Sequence, residues 1–340
     1  MAHEIETHDG VVLHGKKAWH GLGTVVANAP TPREALQIAG LDWNVEQWPL
    51  SATNGEGVKL AISNQVMNVR VQDDLKVPLG VVTTGYSPIQ NSELASFCEL
   101  LAEQGDVVKV ESAGSIRNGG KVWFLLKGES LSVRKSDEVS PYILVSNGHD
   151  GGTALRCTPT SVRVVCSNTL HLVIPQREGR GASKARPASY VANHLGKIQD
   201  KIEDAKQALG LYNRAIKSTR EIIDALAAKH VNSDTVKQFF LECYVRDFGP
   251  IVVNPKTAAE TKARDKSQDA FLKFSARFES EKKIAGDTAW NCFNAYTGWS
   301  QNDRKFWKNA DKEAERRVSS KLFGQDAERA TDSLNVAISL

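Results

Sequence analysis

No stretch of this sequence approaches the roughly 18 consecutive apolar residues that a membrane span needs, and no basic-then-apolar segment opens it as an export signal would. The expected partner list therefore excludes membrane, and the expected location is the cytoplasm. Cysteine is scarce: Cys98, Cys157, Cys166, Cys243 and Cys292 are five in number, widely spaced, and mostly in apolar contexts. No CxxC pair exists, so neither a zinc site nor a redox motif is signalled. They read as reduced thiols of a core. HExxH, a clustered carboxylate pair and the GxGxxG and GxxxxGK phosphate loops are also missing. The glycine-rich run from His14 to Gly23 fits neither loop pattern. No cofactor is expected. Cys166 with His171 or His149 is the one nucleophile–base combination on offer, and a thiol in a Val-rich strand is inert. The expectation is a protein that is not an enzyme.

An excess charge of one sign is also lacking, since the formal net charge is +3 over 340 residues. Its distribution is uneven, however. Residues 1–100 carry 6 Lys/Arg against 11 Asp/Glu, a net of −5, whereas residues 156–190 carry 6 Lys/Arg against Glu178 alone, a net of +5. A basic island in a balanced chain is the pattern of a polyanion site. The apolar content of 41% and charge of 24% describe a soluble globular chain with ample core.

In chain order, Thr31-Pro32 reads as an N-cap and first helical residue, opening a helix Pro32–Ala39 that stops at Gly40. Asn44–Pro49, Lys59–Val71 and Gly80–Thr84 have strand composition. Asn91 or Ser92 is placed to cap a helix over Glu93–Gln104. Val107–Arg117 and Lys121–Lys127 form a hairpin around Asn118-Gly119-Gly120. Apolar runs Tyr142–Val145 and Val162–Cys166 flank Asn147-Gly148-His149-Asp150-Gly151-Gly152, a turn in which glycine supplies positive φ and Asn and Asp bond their own backbone. A further strand, Thr153–Thr158, carries Arg156, and Arg163 lies in the last one. An arginine between apolar strand neighbours projects to the opposite face, so the expectation is a sheet with one apolar and one basic face. Gln176–Pro187, rich in Gly, Arg and Pro, reads as an exposed loop.

From Ala188 the periodicity becomes helical, over Ala192–Lys217, Ile222–His230, Asp234–Tyr244, Asp265–Glu281, Thr288–Ser300 and Gln301–Ser320. The fold class is therefore α+β: an antiparallel hairpin sheet packed with helices over 1–187, followed by a mainly helical region over 188–340.

Five motifs occur in order: Trp19-His20-Gly21-Leu22-Gly23, Tyr86-Ser87-Pro88-Ile89-Gln90-Asn91, Asn147-Gly148-His149-Asp150-Gly151, Val162 to Leu170, and Gly286-Asp287-Thr288-Ala289-Trp290-Asn291. Together they resemble the phage- and plasmid-borne family catalogued as domain of unknown function 932. That resemblance implies a setting among mobile elements that manipulate DNA, and no chemistry. More distantly, a helix, antiparallel hairpins and a helix-rich end resemble the single-strand annealing recombination proteins. This is an analogy of fold alone, and it implies rings or filaments that lay single-stranded DNA in a basic groove.

An annealing protein must hold phosphates and leave base edges readable. Arg117, Lys121, Lys127, Arg134, Arg156 and Arg163 come from neighbouring hairpins, and Arg177, Arg180, Lys184 and Arg186 from the basic island. Trp123 and Tyr142 are candidates for base stacking, although both sit in apolar strands that favour core packing. The expected partners are single-stranded DNA or RNA and further copies of the chain. Two alternatives stand beside this reading. One is a phage or plasmid accessory protein that binds another protein, and the other a metal-dependent nuclease using His149 and Asp150.

Overall fold

The computed structural model describes residues 11–14, 24–104, 109–129, 131–134, 137–152, 154–163, 168–171, 173–178, 182–191, 198–304, 317 and 320–340. In chain order come β1 (Val11–His14), β2 (Thr24–Val26), α1 (Pro32–Ile38), β3 (Asn44–Thr53), β4 (Lys59–Gln72), β5 (Leu75–Thr83) and α2 (Asn91–Gln104). Seven strands follow before the next pair: β6 (Lys109–Ile116), β7 (Lys121–Lys127), β8 (Leu131–Arg134), β9 (Asp137–Gly148), β10 (Arg156–Arg163), β11 (Asn168–His171) and β12 (Val173–Glu178). Then β13 (Ala182–Pro187) and β14 (Tyr190–Val191) lead to α3 (Ile198–Ala228), α4 (Ser233–Phe248), α5 (Ala258–Ala285) and α6 (Ala289–Gly298). A π-helical segment, Trp299–Asp303, and α7 (Gln325–Ser339) complete the described elements. The fold is α+β, with antiparallel sheets and a helical C-terminal region.

Two compact units are built from interleaved stretches: Met1–Glu129, Tyr142–Thr158 and Ser189–Tyr212 form one, and Ser130–Pro141, Pro159–Ala188 and Asn213–Leu340 the other. Strands β9 and β10 and helix α3 each contribute residues to both.

In the first unit the strand order is β2-β1-β6-β7-β9, with α1 and α2 packed on each other and against β6 and β7. The start of α1 follows the sequence closely. Thr31 accepts from the Glu34 amide, Glu34 reaches back to the Thr31 amide at 2.8 Å, Pro32 is the first helical residue, and Gly40 takes φ +61°. One expectation fails here. Every side chain from Val122 to Leu126 and from Tyr142 to Gly148 is buried, so these strands have no basic face. The reason lies in their composition. Lys-Val-Trp-Phe-Leu-Leu-Lys does not alternate, and a continuous apolar run is the mark of a strand covered on both sides. Trp123 and Tyr142 are 1% and 6% exposed, which makes them core and not stacking platforms.

The sheet β3-β4-β5 is anchored by Val45 on β3, by Asn68, Val69 and Arg70 toward the end of β4, and by Val82 on β5. Past a register shift at Pro49/Leu50, the β3–β4 ribbon is largely exposed, and Leu50↔Ile62 and Ala52↔Leu60 stand as cross-strand pairs. Leu60 is 67% exposed.

The second unit packs around aromatic rings. Phe239, Phe240, Tyr244, Phe274, Phe278, Trp290, Phe293, Tyr296 and Trp299 are all buried. Gly286 (φ +73°) ends α5, and the Thr288 side chain caps α6 while its hydroxyl donates to the Ala285 carbonyl. Trp290 Nε1 donates to Asp137 at 2.9 Å. The fifth sequence motif is thus a helix stop, a turn and a helix start. Two corrections apply. The helices read over Ala192–Lys217 and Ile222–His230 are one continuous helix, because Ser218-Thr219-Arg220-Glu221 contains no Gly or Pro to break it. The segment read as a loop, Gln176–Pro187, is instead most of the β12–β13 hairpin, with Gln176↔Lys184 and Arg177↔Ser183 opposite each other. Most of Gln301–Ser320 lies outside the described residues, as do Trp19, His20 and Cys166.

Phe240 touches the rings of Tyr244, Phe271, Phe274, Tyr296 and Trp299 at centroid distances of 5.1 to 6.3 Å. Phe240→Ala should cost about 3–5 kcal/mol of unfolding free energy, measured by urea denaturation; a loss below about 1 kcal/mol would show that this cluster is not the core of its unit.

Candidate nucleic-acid interface

The end of the sheet at which β7 begins and β9 finishes is held by a buried polar network. His149 is fully buried, and its backbone amide donates to the Gly120 carbonyl at 2.8 Å. Its Nε2 lies 2.9 Å from Asn91 Oδ1. Asn91 Nδ2 donates to the Leu41 carbonyl at 2.9 Å, which turns Oδ1 toward the ring. An oxygen can only accept, so His149 is the neutral tautomer with its proton on Nε2. Burial pushes its pKa down to about 4, against a smaller opposing effect of Asp150. Trp43 packs edge-on against the imidazole at 5.4 Å, and the Arg70 guanidinium lies 4.8 Å from the Trp43 ring centroid.

Other bonds converge on the same turn. Tyr86 donates its hydroxyl proton to the Gly148 carbonyl at 3.0 Å, and Asn68 Nδ2 donates to the His149 carbonyl at 2.8 Å. Gln90 pairs with the Val45 backbone through both its amide atoms. The Tyr86–Asn91 and Asn147–Gly151 motifs, distant in sequence, therefore form one network. Asn91 does not cap α2, as the sequence suggested, because its amide serves Leu41 and His149. Backbones also approach closely here. A Cβ on Gly80 would lie 2.7 Å from the Asp150 backbone, and one on Gly119 (φ +96°) 2.8 Å from the Trp43 ring.

Charged groups lie on the outside of this lock. Arg117 and Asn118 take the left-handed conformation (φ +56° and +57°) in the turn before β7. The Arg117 guanidinium, 60% exposed, stands 3.7 Å from Asp150. Lys121 is half-buried, and its pKa is lowered by burial first and then by the positive charges of Arg117 and Arg156, with Asp150 opposing. Arg117, Asp150 and Arg156 are thus within electrostatic reach of Lys121. Arg156 is exposed at the start of β10. Three of the ten expected residues thus converge, and they do so at the end of the sheet instead of on a face.

Of the remaining seven, only Lys127 has a described side chain, and it does not join them. Lys127 sits at the opposite end of β7, paired with Tyr142 and Lys109. Arg134 and Arg163 close β8 and β10, and Arg177, Lys184 and Arg186 belong to the β12–β13 hairpin. The side chains of these five, and all of Arg180, lie outside the described residues. Trp43, Asn68 and Arg70 escaped the sequence reading, since their partners are distant in the chain and no local pattern marks them.

Asp150 pairs with Arg117 while His149 points into the core, so the two do not offer adjoining ligands. No group of three or more His, Cys, Asp or Glu among the described residues is placed to hold a metal ion. Cys98, Cys157, Cys243 and Cys292 are buried thiols whose pKa values burial pushes up. No described helix is long and apolar enough to cross a membrane.

A family model described as domain of unknown function (DUF932) matches residues 78–323, more than two thirds of the chain. The chain belongs to the DUF932 family. The matched region of this DUF932 member contains the Tyr86–Asn91 loop, the Asn147–Gly151 turn and the Gly286–Asn291 corner. No curated protein matches the chain, and no solved structure does.

An unfolded histidine binds its proton near pH 6.5 and His149 in the fold only near 4. Between those values the unfolded chain holds more protons, so stability is full above pH 6.5 and lost as pH falls toward 4, by at most about 1.4 kcal/mol per pH unit. His149→Gln, which retains a side-chain N–H donor, should flatten that slope in urea titrations between pH 4.5 and 7.5; an unchanged slope would show that His149 is not the titrating group. Gly80→Ala should cost about 1–3 kcal/mol through the backbone clash.

Proposed function

We propose that this DUF932 protein binds single-stranded nucleic acid in the cytoplasm and anneals complementary strands as an assembly of identical subunits, without a cofactor and without catalysing a bond change. The reading is carried by one observation: Arg117 in the turn before β7, Lys121 at the start of β7 and Arg156 at the start of β10 lie toward one end of the first unit's sheet, within electrostatic reach of each other. Cations on a fixed scaffold suit phosphate, because binding them together releases condensed counterions. Burial first, and then the neighbouring Arg117 and Arg156, lower the Lys121 pKa, with Asp150 opposing, and a bound phosphate favours the charged amine. Asp150 limits the excess charge and orients Arg117 for one incoming oxygen.

Self-association is supported by the β3–β4 ribbon. Cross-strand neighbours share a face, so Leu50, Ala52, Leu60 and Ile62 line one apolar strip, with no charged side chain among them. Two-stranded ribbons have marginal stability alone. The same strip on a second copy is an uncharged, shape-compatible cover, with small Ala52 beside large Leu60. The ribbon equally favours a second reading, an accessory protein that docks another protein without touching DNA. The His149–Asp150 nuclease gains no support from the geometry, since the two side chains diverge.

Affinity for an unstructured oligonucleotide should fall steeply with salt. Removing the three cations should lower the slope of log K against log salt by roughly 2, at about 0.7 per phosphate contact. Arg117→Ala and Arg156→Ala should each weaken binding without lowering the melting temperature, as both side chains are exposed. A flat salt response, or binding indifferent to both changes, would sink the annealing reading and leave the accessory one. The double variant Leu60→Glu/Ile62→Glu should reduce the assembly to monomers in analytical ultracentrifugation, and unchanged sedimentation would remove the ribbon from the contact.

A further inference from the structure

Annealing proteins need aromatic surface for bases as well as cations for phosphates, and the aromatic residues of β7 and β9 are buried. The second unit has a cleft of about 310 Å³ between α4 and α5, closed by the π-helical segment. Its walls include Tyr244, Phe248 and Trp299, whose rings meet at 5.1 to 6.1 Å. Phe248 is the most accessible of the three, at 36%. We infer that this cleft takes one unstacked nucleotide, its base against the aromatic wall and its phosphate at Lys266.

Size fits first, because the volume lies at the lower end of ligand pockets and suits a unit no larger than one nucleotide. Charge then selects among flat ligands. The lining cations are Lys266, Lys273 and Arg304, and the lining acids are Asp269 and Asp303. Lys273 is held by Asp269 at 2.7 Å, Arg304 by Asp326 at 3.0 Å, and Asp303 by Arg277 at 2.8 Å. Lys266 is exposed and makes no ion pair among the described residues, which leaves it available to an anion. A cationic occupant fits poorly, since the Arg304 and Arg329 guanidiniums already lie 5.4 and 4.8 Å from the Phe248 centroid. A neutral aromatic carrying a negative group complements what is there. The carboxylates of Asp269 and Asp303 are engaged by Lys273 and Arg277, so the aromatic wall and Lys266 carry the recognition. Base–aromatic stacking tolerates every base, and an interaction of that kind suits annealing, where no sequence is preferred. π-helical turns are rare and frequently found at functional sites, and this one supplies both Trp299 and Asp303 to the cleft.

The inference rests on the annealing reading, but it uses different residues, so the two fail separately. The test is calorimetric titration of the full chain with adenosine 5′-monophosphate and, in parallel, with ribose 5-phosphate. The nucleotide should bind at least tenfold more tightly than the sugar phosphate. Phe248→Ala and Lys266→Ala should each lower nucleotide affinity at least tenfold. Lys266 is exposed, so its variant keeps the test valid even if Phe248→Ala fails to fold. Equal binding of the two probes, no binding of either, or wild-type affinity in a folded Lys266→Ala would overturn the nucleotide site. So would binding of a Phe- or Trp-bearing peptide in place of the nucleotide. If Phe248→Ala and Lys266→Ala bind oligonucleotide like the parent while Arg117→Ala does not, phosphate binding at the sheet end stands and this site falls.

Discussion

Neutrality of one buried imidazole is the condition on which the first unit's sheet end depends. His149 is fully buried, so a charge there would be uncompensated. Asn91 accepts from its ring, Leu41 fixes Asn91, and Asn68 and Gly120 fix its backbone. Because each bond settles the orientation of the next, the network has one arrangement, and the turn above it inherits that rigidity. Arg117 in its left-handed conformation and Asp150 against the Gly80 backbone have no room to drift. A floppy turn would lose the gathered cations to mutual repulsion.

Local signals carried the parts of this fold that local physics decides. Thr31, Pro32 and Gly40 bounded α1, and Asn118-Gly119-Gly120 placed the β6–β7 turn. The lock was invisible for the converse reason: His149 and Asn91 stand 58 positions apart, and neither lies in a pattern that marks a buried partner. Asn91 before a helical run looks like a cap, and it would be one if His149 did not claim its oxygen. The basic face failed because arginines were placed by strand membership, while the apolar runs of β7 and β9 leave no face for them. Composition misread Gln176–Pro187 as a loop, since Gly, Arg and Pro report solvation and say little about pairing.

The two units solve stability in different ways. The first depends on covered strands and a polar knot, and the second on a dense aromatic cluster with capped helices. Thr257 with Glu260, and Thr288 with Gly286, begin and end its helices within a few residues of a sharp corner. Three of the five sequence motifs, Tyr86–Asn91, Asn147–Gly151 and Gly286–Asn291, fall on such a corner or on the knot. The cations and the aromatic cleft lie beside these motifs.

Coverage of the sheet on both sides limits how nucleic acid could meet it. The cluster spans the ends of β7, β9 and β10, three neighbouring strands, or about 10 Å at the usual interstrand spacing. A backbone crossing it end-on finds a footprint of two or three phosphates, too short for tight binding by one subunit. Under the proposed annealing reading, useful affinity would have to come from avidity, with each added copy raising the effective concentration for the next contact. Subunits built this way would hold long strands firmly and release short ones, so strand length itself would become what the assembly measures.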